Sequence, residues 1–267
     1  MSFKYRDFEL NDDRSTMKVG SDSLALGEWM TVLPIDRSML DIGTGCGILA
    51  LLAASRRVEA ANGFADEESD GVMTSSDLDM GDVGLHIIAI DIDSESASQA
   101  AENFSSSPWP SRFEVQCIPL QDFVSRRSNA ALSFPTDSAS PLSGCTTLHT
   151  SDTALKVTAN ANRSDFRGFD LIFANPPYYA GGLKAPAQQR ALARSADTLP
   201  FDDLISCVLE LLAPAGRFAM CLPEPLMRDF IFHAAPAGLH PHRTELRTSN
   251  PDGTPRHDVL MLAEFSR

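Results

Sequence analysis

A doubly wound α/β domain is what this sequence predicts, on three observations. Short apolar runs alternate with amphipathic, helix-favouring stretches through most of the chain. The first of those runs in the main body, SMLDIG, ends in a glycine-rich turn, and ligands bind at such turns on the carboxyl edge of a parallel sheet. The 267 residues suffice for one domain of this kind with a sizeable core and small extensions.

The elements follow in order. FKYRDFEL and RSTMKVG predict two short extended pieces around a turn at Asn11-Asp12-Asp13. Ser21 to Val32 predicts a helix capped by Ser21 or Asp22. SMLDIG is a buried strand running into GTGCG, and ILALLAASRR is a helix packed on the sheet. HIIAID is a second strand, followed by Ser94 as cap of the helix SESASQAAENF. RFEVQCI alternates as a third strand, QDFVSRR is a short helix, and FDLIFA is a fourth strand ending at Asn175-Pro176-Pro177-Tyr178. FDDLISCVLELLA is an amphipathic helix, GRFAMCL a fifth strand and EPLMRDFIFHAA a further helix. HRTELRT and HDVLMLAEF, on either side of Asn250-Pro251-Asp252-Gly253, complete a mostly parallel, seven-stranded sheet with an antiparallel edge strand and helices on both faces.

Two stretches interrupt this order and are expected as mobile surface insertions. Residues 59–84 carry eight acids and no Lys or Arg, and residues 128–165 hold 7 Ser and 6 Thr with few large apolar side chains. The net charge of −14 speaks against a polyanionic partner, but without the acidic stretch it is −6, which weakens the objection. No apolar run reaches the roughly 18 residues of a membrane span, and MSFKYRDFEL lacks a signal-peptide core, so no membrane or export is expected. Five cysteines without CxxC spacing predict neither a disulfide framework nor a zinc site and fit a reducing cytoplasm. His240-Pro241-His242 offers two metal ligands without a third, so no metal is expected.

Three sites carry chemistry. In Asp41-Ile42-Gly43-Thr44-Gly45-Cys46-Gly47 the glycines admit a ligand close to backbone N–H groups at a helix start. A dinucleotide fingerprint needs a glycine where Ile48 stands; the acid two residues ahead of Gly43 suits a zwitterionic amino-acid moiety better than a pyrophosphate. Asp91, at the end of HIIAID, is placed to accept ribose hydroxyls, with Asp93 as a competitor and helix capping as the alternative role. Asn175-Pro176-Pro177-Tyr178 supplies two acceptors and a flat aromatic face on a rigid turn, the set a planar –NH2 group on a ring requires.

These motifs, in this order, resemble the amino-methyltransferases of the Rossmann-like S-adenosylmethionine-dependent class. Closer still is the resemblance to the tRNA1(Val) (adenine-37-N6)-methyltransferase family. It rests on Met17 to Asp22 with Leu26-Gly27, Leu40 to Gly47, Ala101-Glu102-Asn103, Ser107-Pro108-Trp109, Asn175 to Tyr179 and Leu222-Pro223-Glu224. The resemblance implies a catalytic domain over 36–267 with an N-terminal extension, 1–35, packed on it. It implies S-adenosylmethionine held by the Asp41–Gly47 loop (Asp41, Gly43, Thr44, Gly45, Gly47), by Asp91 and Ile92, and by Asn175, with Lys18 and Asp22 bordering the pocket. It implies an adenine amino group held by Asn175 and the Pro176 carbonyl on the Pro176-Pro177 turn, under Tyr178. Where such enzymes often carry an acid that binds the cofactor's adenine amine, this chain has Pro119; Asp122 or a backbone carbonyl is the substitute.

The partner implied is tRNA, with a monomeric, cytoplasmic enzyme. Arg14, Lys18, Lys184, Arg190, Arg194, Arg243, Arg247 and Arg256 are expected to form a basic rim for its phosphates, with Arg190, Arg194 and Arg256 the principal contacts. Methylation of a protein glutamine or an rRNA guanine shares the NPPY chemistry. A nicotinamide oxidoreductase conflicts with Ile48, and a non-catalytic RNA-binding scaffold leaves Asn175 and Asp91 unexplained.

Overall fold

The computed structural model describes residues 2–16, 18–68, 84–132, 167–176, 199–250 and 253–267. An N-terminal hairpin pairs β1 (Ser2–Tyr5) with β2 (Phe8–Asn11), and α1 (Ser21–Trp29) follows. The main body then runs β3 (Ser38–Ile42), α2 (Ile48–Glu68), β4 (His86–Asp91), α3 (Ser94–Ser105), β5 (Phe113–Cys117) and α4 (Leu120–Leu132). It continues with β6 (Phe169–Ala174), α5 (Phe201–Leu211), β7 (Leu212–Pro223), α6 (Glu224–Ala234), β8 (His240–Ser249) and β9 (Pro255–Ser266).

The seven-stranded sheet has the order β5-β4-β3-β6-β7-β9-β8. The strands β3 to β7 pair in parallel, and the late antiparallel addition is β9, with β8 outside it. Side chains of period two send alternate residues to opposite faces, and both faces are buried. Leu40, Ile42, Ile88, Ile90, Ile172 and Ala174 join the core beneath α4, α5 and α6. Met39, Ile87, Ala89, Leu171 and Phe173 join the core beneath α1 and α2. Helices on both faces therefore follow directly from near-continuous apolar strands.

Four local expectations need correction. The first turn lies at Arg6-Asp7, between the paired Tyr5 and Phe8, rather than at Asn11-Asp12-Asp13. Arg6 carries the positive φ of 44° that a two-residue hairpin demands, a position without the usual Gly or Asn signal. Gly20, not Ser21 or Asp22, occupies the cap position of α1 and brings no side-chain bond. Asp93, not Ser94, caps α3: its carboxylate accepts the Ser96 N–H at 2.9 Å. Finally, α2 continues through Glu68 into the acidic stretch, where Ala and Glu favour helix whatever the net charge, and α4 reaches Leu132 through Ala130-Ala131.

A buried polar knot ties the late strands to the start of the sheet. Arg217 on β7 donates to Asp36 at 2.6 Å, and Glu264 on β9 accepts the Thr31 N–H at 2.8 Å. His242 Nε2 lies 3.0 Å from Glu264 Oε1, which gives this histidine a partner of its own. Among the described residues no group of three or more His, Cys, Asp or Glu side chains could hold a metal ion, and no helix is long and apolar enough to cross a membrane.

Candidate active site

Three adjacent strands deliver the three sequence motifs to one edge. Ile42 on β3 pairs with Ile90 on β4 and with Ala174 on β6, so these residues stand in register across the sheet. The next residue on each strand is Gly43, Asp91 and Asn175. Neighbouring strands lie about 4.8 Å apart, so the motifs begin within roughly 10 Å of one another.

The glycine loop is built by hydrogen bonds to β4. Gly43 and Thr44 donate to the Ile90 carbonyl at 2.9 and 3.0 Å, and Gly45 donates to Asp91 Oδ2 at 2.8 Å. Gly43 has φ +70°, and a side chain there would project into open space with nothing within 4 Å. Gly47 has φ +91°, and a Cβ would meet the Phe104 ring at 2.5 Å. One glycine keeps the ligand side clear, and the other lets α3 approach.

Asp41 is fully buried. Its Oδ2 accepts the Thr44 hydroxyl at 2.7 Å, while its buried Oδ1 makes no hydrogen bond of normal geometry. Burial pushes this carboxyl up to about 7, and the nearby Asp91 charge adds to the shift. Asp91 is also raised by burial, opposed by the N–H groups of Asp93 and Gly45 that it accepts. Since Asp93 is the helix cap, Asp91 is left to the loop and to whatever occupies the edge. Ile92 beside it is 53% exposed, an unusual placement for an isoleucine and an apolar surface for a flat ring. The Pro119 carbonyl, just ahead of α4, accepts the Phe123 N–H at 3.0 Å, and Asp122 lies exposed in the first turn of that helix.

Asn175 is half-buried at the tip of β6. Its Nδ2 donates to Ser23 Oγ at 2.8 Å, and its Oδ1 accepts the Cys221 thiol at 3.1 Å. Burial holds that thiol well above its ordinary range, so it keeps its proton. Pro176 follows, half-buried; Pro177, Tyr178, Lys184, Arg190 and Arg194 lie outside the described residues.

The N-terminal segment lies across this edge, fixed by the polar face of α3. Asn103 donates to the Asn11 carbonyl at 2.8 Å and to the Cys46 carbonyl at 2.7 Å, and accepts the Asn11 N–H at 2.9 Å. Gln99 accepts the Ser15 N–H at 2.8 Å and donates to Asp13 at 2.8 Å. Ser96 accepts the Thr16 N–H at 3.2 Å. Sequence reasoning assigned none of these three a role, although Ser96, Gln99 and Asn103 form a polar stripe at i, i+3 and i+7 on a helix packed against the sheet.

Of the expected basic rim, the described arginines are engaged within the chain. Arg14 pairs with Glu102, Arg247 with Glu245 at 2.9 Å, and Arg243 covers the Trp29 ring at 4.2 Å while donating to the Trp29 carbonyl. Arg256 pairs with Asp22 at 2.5 Å and reaches Ser21 and Asn250. Lys18 is exposed.

The tRNA1(Val) (adenine(37)-N6)-methyltransferase of Bacteroides fragilis (strain YCH46) is 31% identical over 258 residues, covering 97% of this chain and 82% of that protein. The enzyme of the same name from Citrobacter koseri is 31% identical over 264 residues, covering 99% of this chain and 81% of its own length. Among solved structures, a chain from Streptococcus mutans assigned as a SAM-dependent methyltransferase superposes with a TM-score of 0.51 at 10% identity. It covers 92% of this chain and 47% of that one, a likeness of fold. No protein-family model matches the sequence.

Proposed function

The chain belongs to the tRNA1(Val) (adenine(37)-N6)-methyltransferase family, and from that premise we propose that it methylates the exocyclic N6 of adenosine 37, beside the anticodon of a valine tRNA. The enzyme is an S-adenosylmethionine-dependent N-methyltransferase. The observation that carries the reading is the shared register of Ile90, Ile42 and Ala174, which brings Asp91, the glycine loop and Asn175 to one edge.

The residues present fit the methyl donor. Asp41 offers a buried acceptor without a hydrogen bond of normal geometry, next to a loop whose Gly43 faces open space. Both Asp41 and Asp91 are anionic when ionised, and the donor carries an ammonium and a sulfonium. We assign the Asp41–Gly47 loop to its amino-acid part, Asp91 to its ribose and the exposed Ile92 to its adenine ring. Lys18 and Asp22 border the pocket. When bound, S-adenosylmethionine supplies an electrophilic methyl group.

The chain's own work is on the acceptor. An aromatic amine is a poor nucleophile because its lone pair is delocalised into the ring. Asn175 Oδ1 and the Pro176 carbonyl accept its two N–H bonds, favouring a pyramidal nitrogen and aiming its lone pair. Pro177 keeps the turn rigid and Tyr178 stacks on the base. Positioning and fixed dipoles supply the acceleration, and no strong general base is needed because the nitrogen grows more acidic as it is methylated. The base must leave its stack to reach the sheet edge, as enzymes acting on a base require. Arg190 and Arg194 are assigned to tRNA phosphates. Residues 1–35 act as an extension on a catalytic domain of 36–267, in a cytoplasmic enzyme.

The test is incubation with methyl-labelled S-adenosylmethionine and unmodified bulk tRNA, comparing wild type with Asn175→Ala. Labelled N6-methyladenosine is expected, falling on the order of 100-fold or more in the variant. Label in protein or rRNA alone overturns the substrate.

A further inference from the structure

The amide of Asn175 can serve an amino group only in one sense. With Oδ1 presented, it accepts an N–H; turned by half a rotation, it presents its own –NH2 to another donor. Terminal amides rotate readily between these senses, so something in the protein must choose. Among the described residues, two side chains from elements far apart in the sequence meet this amide. Ser23, in the first turn of α1, is 8% exposed and takes the Nδ2 proton at 2.8 Å. Cys221, on β7, is fully buried and donates its thiol proton to Oδ1 at 3.1 Å.

The two contacts do different things. A hydroxyl both donates and accepts, so Ser23 anchors the amide but would tolerate either sense. A thiol is a weak acceptor, so a reversed amide would press an N–H against a sulfur that repays it poorly. Among the described residues, the thiol's other carbonyl neighbour is that of Asp22, at 3.9 Å, so Asn175 is its nearer acceptor. Oδ1 has a second lone pair, which the thiol leaves available for the substrate.

We propose that Ser23 and Cys221 are positioning residues for the reaction: Ser23 anchors the Asn175 amide and Cys221 fixes its sense, so that Oδ1 is offered to the acceptor amine. This rests on the reading of Asn175 as the group that holds the adenine N6. It also gives the start of α1 a function that no glycine-loop or NPPY pattern announces.

The experiment compares steady-state kinetics of Ser23→Ala, Cys221→Ala, Cys221→Ser and Asn175→Ala, with calorimetric binding of S-adenosylhomocysteine to each full-length protein. A misdirected group costs rate rather than binding, so kcat should fall by about 10- to 100-fold in Ser23→Ala and Cys221→Ala. The KM values and the affinity for S-adenosylhomocysteine should stay within about two-fold. Cys221→Ser, which restores a donor, should recover at least about five-fold of the rate lost in Cys221→Ala. Retained kcat in both alanine variants, beside an inactive Asn175→Ala, overturns the positioning roles alone. Equal loss in Cys221→Ser and Cys221→Ala, or parallel loss of kcat and binding, overturns them in favour of packing. An active Asn175→Ala overturns the underlying reading. Should Cys221→Ala fail to fold, the KM-against-kcat split in Ser23→Ala, which removes a single oxygen, decides.

Discussion

Arg256, on the last strand, holds Asp22, in the first turn of the first helix, in an ion pair 234 residues apart in the chain. The sequence suggested separate duties for them, Asp22 beside the cofactor pocket and Arg256 against a phosphate. Their side chains are only 16% and 11% exposed, so the guanidinium is occupied where a phosphate contact needs it open. It ties the β8–β9 hairpin to the start of α1, at the residue next to Ser23, which meets Asn175.

Arg256→Ala should therefore act on stability. It takes one ion-pair partner from a largely buried carboxylate, at a cost of roughly 1–3 kcal/mol in urea unfolding. The slope of log K for tRNA binding against log salt should remain that of the wild type. Losing a true phosphate contact would lower that slope by about 0.7–0.9. A drop of that size with unaltered stability would return Arg256 to the RNA interface.

Asn103→Ala should be among the most damaging changes away from the chemistry. One buried side chain satisfies both backbone polar groups of Asn11 and the Cys46 carbonyl within the glycine loop. Stranding three groups should cost roughly 2–5 kcal/mol. It should also free the N-terminal segment, so limited proteolysis should cut near residues 11–16 in the variant before the wild type. Equal protection of both would show that α3 does not hold the segment down.

The protonation of Asp41 predicts a pH dependence with a definite sign. Its folded value of about 7 lies above the ordinary carboxyl value of 3.8, so between those limits the folded protein holds more protons than the unfolded chain. Stability must then fall as pH rises through that window, by at most roughly 4 kcal/mol from this one group. Thr44 donates to the carboxyl, and Asp91 is the nearby anion; the Cys46 thiol is itself pushed up to about 11. Asp41→Asn should flatten this part of the profile, gaining on the wild type from pH 5 to pH 8 in urea midpoints. The donor's ammonium favours the ionised carboxyl, so its binding should release a proton near neutral pH and tighten with pH in wild type only. Calorimetry in buffers of different ionisation enthalpy reads that proton directly.

What could be read from the sequence was whatever is local. The glycine loop, Asp91 and Asn175 each sit at the end of an apolar strand, so strand register alone brings them together. Ser23, Cys221 and the Asp22–Arg256 pair belong to elements that meet only in the folded sheet, and no spacing announces them. Asp93 and Ser94 are both good caps, so sequence alone does not choose between them, and only geometry places the cap of α3 at Asp93. The hairpin turn is not legible in the sequence because Arg6 adopts a backbone conformation that its side chain does not advertise.

The two outer glycines of the loop should respond differently to the same added methyl group. Gly47→Ala places a carbon 2.5 Å from the Phe104 ring at a backbone φ of +91°, and that ring is stacked on Phe113 at 4.2 Å. The ring can yield only by disturbing the α3–β5 packing, so the cost should be roughly 2–4 kcal/mol, felt as lost stability. Gly43→Ala meets no atom within 4 Å and should cost only the φ penalty, about 1 kcal/mol. Its methyl group nevertheless enters the space assigned to the methyl donor. The variant should fold and melt nearly as the wild type while its affinity for S-adenosylhomocysteine falls by about 10-fold or more. A Gly43→Ala protein that binds S-adenosylhomocysteine normally would show that the open side of Gly43 faces solvent, and the glycine loop would then have to be removed from the cofactor site.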